Sequence, residues 1–379
     1  MKILNYSIYI LTAGLLLVAC KDPYMPDLKS SDDKILVVEG FIDGGAQTTI
    51  KLSYTRLVSK WDTAAITYPT NATVSVQEKG SQTFFPLTRQ AKGVYTGNLM
   101  LTAGNEYRIV IKDGIDNYES AYVPLKISPQ IDSVTMNVGS DAATIYVNTH
   151  DDANNTKFYR WGFDETWEIR SSFTSEYIYD PFLTKVVERT PDQMHIDTCW
   201  QYSESKEILI TSTEKYIRDL VQDRPLIKIP RKNIKLGVLY SINVHQYALD
   251  SLGFQFWSQL KKNTEDVGTI FDPQPNNIRG NITCVNDSSR IVVGYVGAGI
   301  SSHKRVFFKV DWDYVPKCEG AIMVKNLKDT IDYYFNNGGY IPLRPVIEGN
   351  SIKGYEAAED FCVDCTIRGS NVKPVYWPY

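Results

Sequence analysis

The sequence predicts a mainly β protein: an N-terminal immunoglobulin- or fibronectin-like β-sandwich, then a larger β-rich, sandwich-like domain with inserted loops and one or two short helices. Three observations predict it. Tyr, Trp and Phe make up 12% of the chain, alongside many Val, Ile and Thr, which is strand composition. Short alternations of apolar and polar residues recur from residue 35 onward. Turn material punctuates them at short intervals, as at Asp43-Gly44-Gly45, Lys79-Gly80, Lys92-Gly93, Ala103-Gly104-Asn105 and Asp113-Gly114.

In chain order, residues 1–19 read as a secretory signal. A single early cation, Lys2, precedes an apolar run that ends in a small residue before a cysteine. Leu17-Val18-Ala19-Cys20 resembles a bacterial lipobox, in which the Cys20 thiol is acylated by a fatty chain such as palmitate and the chain is cut before it. Residues 20–34 form a lipidated tether; Pro23 and Pro26 and the charges keep it extended and solvated. Lys21-Asp22 and Ser31-Asp32-Asp33 partly match the surface-export signals of Bacteroidota lipoproteins. The expected location is therefore the outer membrane, lipid-anchored and facing the cell surface.

Residues 35–127 carry seven strand-like runs: Ile35–Ile42, Thr48–Arg56, Ala72–Glu78, Thr83–Thr88, Val94–Leu99, Tyr107–Lys112 and Tyr118–Leu125. That number and spacing suit one immunoglobulin-like sandwich. In Tyr107–Ile111 the odd residues Tyr107, Ile109 and Ile111 share one face; Val110 breaks the alternation, as a central strand tolerates.

The second β-rich domain spans 128–312. Ile131–Val138, Thr144–Thr149 and Phe158–Ile169 are strand-like; the last puts Tyr159, Trp161, Phe163, Trp167 and Ile169 on one face, with Arg160, Asp164, Thr166 and Glu168 on the other. Such an aromatic row is more often a buried sheet face than a sugar-binding platform. The polar stretch 180–198 reads as an insertion. Strands return at Glu207–Thr211, Val238–Tyr247, Arg279–Val285, Arg290–Val296 and Arg305–Trp312. Helices are expected at Thr213–Val221, where Tyr216, Ile217 and Leu220 have helical spacing, and after a capping Ser251, with Phe254, Trp257 and Leu260 on one side. Residues 313–379, rich in Pro, Gly and Tyr, are expected to wrap along the second domain and carry the Cys-x-x-Cys motif.

The chain has 379 residues and a formal charge of −4, with no Lys/Arg block, which argues against nucleic acid. Histidine occurs four times, with no His-x-x-x-His or His-x-His, so no metal site is expected. There is no nucleophile elbow, phosphate loop or kinase set. Gly294-Tyr295-Val296-Gly297-Ala298-Gly299 lacks the βαβ context of a dinucleotide site and reads as a bent strand. His150-Asp151-Asp152-Ala153-Asn154-Asn155 misses the EF-hand spacing and reads as a hairpin tip. No catalytic residue and no cofactor is expected.

Beyond Cys20, the cysteines are Cys199, Cys284, Cys318, Cys362 and Cys365. In an oxidising compartment they pair, leaving one thiol over. Cys362-Val363-Asp364-Cys365 lacks both a thioredoxin-like setting and a second zinc half-site. Cys318 is expected to pair with Cys362 or Cys365, and Cys199 with Cys284.

A set of short motifs runs along the chain: Val37-Val38-Glu39-Gly40-Phe41-Ile42, Tyr159-Arg160-Trp161, Glu165-Thr166-Trp167-Glu168 and Cys199-Trp200, then Arg279-Gly280-Asn281-Ile282 and Val293-Gly294-Tyr295. The set ends with Cys362-Val363-Asp364-Cys365-Thr366, Arg368-Gly369 and Pro374-Val375-Tyr376-Trp377. In these residues the chain resembles a Bacteroidota lipoprotein family called domain of unknown function 4249. The resemblance implies an accessory role beside TonB-dependent outer-membrane transporters and supplies no catalytic residues. The leading expectation is a non-enzymatic accessory or binding lipoprotein for nutrient capture or uptake. The rivals are a surface hydrolase of glycan or peptide and a structural or assembly lipoprotein. Exposed aromatics are the expected contacts with a partner: Tyr179 and Phe182 at the insertion, and Tyr376, Trp377 and Tyr379 at the carboxyl end.

Overall fold

The computed structural model describes residues 34–55, 66–265, 280–312 and 318–379. The signal segment, Cys20 and the tether up to residue 33 lie outside the described residues.

The first eight strands are β1 (Leu36–Asp43), β2 (Thr48–Tyr54), β3 (Thr73–Glu78), β4 (Phe84–Ala91), β5 (Val94–Gly97), β6 (Glu106–Asp113), β7 (Asp116–Ser120) and β8 (Val123–Ile127). Strands β1-β2-β5-β4 lie side by side in one layer and β3-β6-β7 in the other, and β4 also pairs with β3. This four-plus-three order is that of the immunoglobulin sandwich. Period-2 burial fills it: Val38, Ile50, Leu52, Val74, Val76, Ile109 and Ile111 are each at most 2% exposed. Val110 is also buried, because β6 is a central strand flanked by β3, β7 and β8.

The chain continues through β9 (Ile131–Val138), β10 (Ala142–Asp151), β11 (Phe158–Arg170), β12 (Tyr177–Asp180), β13 (Lys185–Glu188), β14 (Thr198–Glu204), β15 (Leu209–Ser212), β16 (Asp219–Pro230), β17 (Tyr240–Ala248) and helix α1 (Ser251–Thr264). Then come β18 (Ile282–Cys284), β19 (Val292–Val293), β20 (Gly297–Ile300), β21 (Ser302–Phe308), β22 (Ile322–Lys325), α2 (Lys328–Asp332), β23 (Tyr340–Glu348), β24 (Ser351–Glu359) and α3 (Asp360–Val363). A three-stranded sheet, β16-β10-β9, faces a larger one, β14-β11-β17-β21, in which β15 also pairs with β11. Ala143, Ile145 and Val147 of the first meet Tyr159, Trp161, Ile242 and Val244 of the second in one core. The aromatic row of β11 is therefore the buried face of a sandwich; Tyr159 and Trp161 are at most 1% exposed.

Four sequence expectations are corrected. Strands β18, β19 and β20, placed by sequence in the second domain, return to the first. β20 inserts in parallel between β1 and β8, and β18 pairs with β7. Glycine makes this possible: a Cβ on Gly294 (φ +148°) would lie 2.1 Å from the Val38 carbonyl oxygen, and one on Gly299 would lie 2.4 Å from that of Lys126. Thr213–Val221 is a turn leading into β16, not a helix, because Thr213 and Tyr159 both donate to the buried Asp219 carboxylate and residues from Asp219 pair with β10. The cap of α1 is Asp250, which accepts from the Gly253 amide at 2.8 Å, and the buried residues of that helix are Gly253 and Phe256. Part of the 313–379 segment folds as its own antiparallel sheet, β22-β24-β23. The insertion hairpin β12–β13 packs against it, with Tyr177 and Tyr355 rings 6.3 Å apart.

Candidate functional site

The outer face of the β11–β17–β21 sheet gathers the polar residues that alternate with the buried aromatic row. Asp164 stands at its middle. Its carboxylate accepts from His245 Nε2 at 2.9 Å, Asn243 Nδ2 at 3.0 Å and Arg305 Nη2 at 2.7 Å. Burial pushes the Asp164 carboxyl up, but the bonds from His245, Asn243 and Arg305 outweigh it and hold the group below the usual carboxylate range. To one side, Arg160 is clamped between the rings of Tyr247 and Trp257, 5.0 and 4.2 Å from its guanidinium carbon. Phe41 of the first sandwich packs on the same Tyr247 ring at 4.9 Å, so this end of the face is a domain junction. To the other side the carboxyl-terminal residues lie over the sheet. Tyr376 hydrogen-bonds Thr166 at 2.7 Å and stacks on Arg305 at 3.8 Å, while Trp377 donates to the buried Glu168 at 3.2 Å. Thr166 and Glu168, on the polar face of β11, are thereby buried too.

These groups bond mainly to one another, though Asn243 Oδ1 is buried with no partner among the described residues. On the core side, Glu165 accepts from Tyr240 and from Lys235, both at 2.6 Å, and Gln246 bridges Trp161, Thr149 and the Pro129 carbonyl. Paired, hydrogen-bonded carboxylates of this kind fix strand register and domain docking. Among the described residues, no group of three or more His, Cys, Asp or Glu could hold a metal ion. Asp151, the last residue of β10, spends its carboxylate on the amides of Ala153, Asn155 and Thr156, which explains the acidic run there without a cation.

A different arrangement occurs at the open edge of the second sandwich. A groove of about 520 Å³ runs between the loop after β15 and strand β16, lined by Thr211, Tyr216, Arg218, Leu220, Gln222 and Arg224 among others. That volume suits a small ligand. Strand β16 is an edge strand, which is why Pro225 is tolerated in it. Val147 faces Arg224 and Thr149 faces Val221, so Asn148 alone stands opposite Gln222 and Asp223. This bulge puts Asp223 at φ +47°, held by its amide on Asn148 Oδ1 at 2.7 Å, and re-aims Arg224 toward the second sheet. There Arg224 Nη2 donates to the Ile210 carbonyl at 3.3 Å, and its Nε is buried without a partner among the described residues.

The sequence-predicted residues fall as follows. Cys20 lies outside the described residues. Cys318 is bonded to Cys362, one of its two expected partners, but Cys199 is bonded to Cys365 and not to Cys284. Cys284 is a buried free thiol because its strand β18 belongs to the first sandwich, whereas Cys199 sits in the core of the second. The two cysteines of the Cys-x-x-Cys motif thus anchor separate segments. Phe182 is 95% exposed at the tip of the β12–β13 hairpin, where Asp180 Oδ1 accepts the amides of Phe182 and Leu183 and shapes the turn. Tyr179 is half-buried and donates to Asp332 at 2.7 Å. Trp377 is 4% exposed and is packed against Trp200 and Phe307, which removes it as a contact; Tyr376 and Tyr379 are exposed. Arg224 and its groove were missed by sequence reasoning. A lone Arg before a Pro carries no local signal, and only the bulge and the two sheet edges make it a site.

No curated protein matches the chain. Among solved structures, a two fibronectin type-III domain segment from chicken tenascin is similar, with 12% identity over 56% of this chain and 90% of that one and a TM-score of 0.16. The family model described as domain of unknown function (DUF4249) matches residues 21–305, most of the chain, and the protein belongs to that family.

Proposed function

We propose that the protein is a lipid-anchored accessory lipoprotein of the outer membrane that acts by contact, beside a TonB-dependent transporter, in nutrient capture or uptake. The observation that carries this reading is Leu17-Val18-Ala19-Cys20, followed by a polar tether. A tether of the length of residues 21–34 could reach at most about 45 Å, enough to lift the first sandwich clear of the headgroups. Confinement to a membrane surface raises the effective concentration near a membrane partner, so a modest interface suffices. The Phe182–Leu183 tip supports it: two apolar side chains, 95% and 58% exposed, project from a turn held by Asp180. An aromatic presented this way is suited to a partner's pocket.

The test is metabolic labelling with a fatty-acid probe. The wild type takes up label and fractionates with the outer membrane; Cys20→Ala takes up none and accumulates as uncleaved or soluble precursor. Equal label on the two proteins would remove the anchor and the reading built on it.

A further inference from the structure

The groove at the edge of the second sandwich holds a cation with no counterion. Arg224 and Arg218 both line it, and neither is paired with a carboxylate among the described residues. Asp223 is the one carboxylate of the lining, and none of its oxygens lies within 4.0 Å of either guanidinium. The next nearest acid in sequence, Asp219, is occupied by Tyr159 and Thr213. Burial pushes the Arg224 guanidinium below its ordinary value, though an arginine keeps its charge at any physiological pH.

Arg224 is half-buried, and even partial burial of a charge without a counterion is costly. This one is also positioned: the bulge at Gln222–Asp223 aims it and the Ile210 carbonyl holds one of its amino groups. The other terminal amino group has no hydrogen-bond partner among the described residues. The N–H groups of that nitrogen are suited to a charge-assisted hydrogen bond with a carboxylate oxygen. Around it, the exposed Tyr216 ring and Leu220 offer an apolar surface, and Thr211 and Gln222 offer hydroxyl and amide groups. Aromatic stacking with scattered hydrogen-bonding groups suits a hydroxylated ring.

We propose that this groove is a binding site for a small carboxylate-bearing ligand of sugar-ring size, its carboxylate on Arg224 and its ring against Tyr216. The proposal does not depend on the transporter partnership, since it concerns the groove alone.

The test uses the full-length protein purified in detergent and titrated with glucuronate, glucose and glucose 6-phosphate by calorimetry or ligand-observed NMR. Glucuronate is expected to bind in the micromolar to millimolar range, with glucose at least about tenfold weaker. Arg224→Gln is expected to lose glucuronate binding about tenfold or more, and the exposed Tyr216→Ala, whose folding is not at issue, several-fold. Binding of glucuronate should weaken as salt rises. No binding of glucuronate by the wild type, equal binding of glucose, or full retention by both variants would overturn the proposal. Tighter binding of glucose 6-phosphate than of glucuronate would also overturn it, by making the site one for phosphate.

Discussion

Replacing both Cys199 and Cys365 with alanine removes the bridge that ties the carboxyl-terminal segment to β14. The bond closes a loop across 166 residues, and its sulfurs sit in the second core, where both cysteines are 0% exposed. In the chain-entropy model such a loop restricts the unfolded chain by about 5 kcal/mol at 25 °C. The Cys318–Cys362 loop of 44 residues is nested within it, and its closure shortens the effective outer loop too little to change that figure. The same model assigns the inner loop about 4 kcal/mol. Loss of the outer bridge also loosens Ser370, whose amide and carbonyl bond Trp200, and Trp377, whose ring lies 6.2 Å from that of Trp200. Tryptophan fluorescence therefore reports on the affected region. In urea, Cys199→Ala/Cys365→Ala should unfold with a stability lower by about 4–6 kcal/mol, and Cys318→Ala/Cys362→Ala by about 3–4 kcal/mol. A loss under about 1 kcal/mol for the outer bridge would refute the argument that it constrains the unfolded chain.

Two further outcomes follow from the packing. Gly294→Ala drives a Cβ to within 2.1 Å of the Val38 carbonyl oxygen at a φ of +148°, so it should destabilise the first sandwich by about 3 kcal/mol or more; an unchanged thermal midpoint by circular dichroism would contradict the close approach. Asp164 is held below its unfolded value by His245, Asn243 and Arg305, so its contribution is present above the unfolded carboxylate pKa of about 3.9 and is lost as pH falls further, through the folded value. Asp164→Asn should lower stability by about 1–3 kcal/mol at pH 7, and the deficit relative to wild type should shrink as pH falls below about 4; a deficit constant from pH 7 to pH 2 would contradict the pairing.

How much of this was legible in the chain depends on how local the cause is. Tyr107, Ile109 and Ile111 announce β6 because one face of a strand is buried and the period is two. The first sandwich was readable for the same reason. Strand β16 was not. Tyr216, Ile217 and Leu220 imitate a helix stripe, yet all three are more than half exposed, and an edge strand with one open side shows no clean alternation. The return of β18–β20 to the first sandwich has its partners about 160 to 256 residues upstream, and no local pattern reports that. Its trace was the glycine cluster Gly294, Gly297 and Gly299, readable as a bent strand but not as a crossing between domains. Cysteine connectivity follows from which core each residue joins, so Cys284 could be assigned only once β18 had a sheet. The groove is the least local feature. An arginine without a counterion is defined by everything that is not near it.

The central claim, action by contact at the outer membrane, is tested most directly by purifying the protein from membranes in mild detergent. The account predicts recovery of a TonB-dependent transporter in near-stoichiometric amount, diminished when Phe182 is replaced by aspartate. Recovery of the protein alone, with turnover of a glycan or peptide that is lost on replacing a single carboxylate, would contradict it and establish a surface hydrolase.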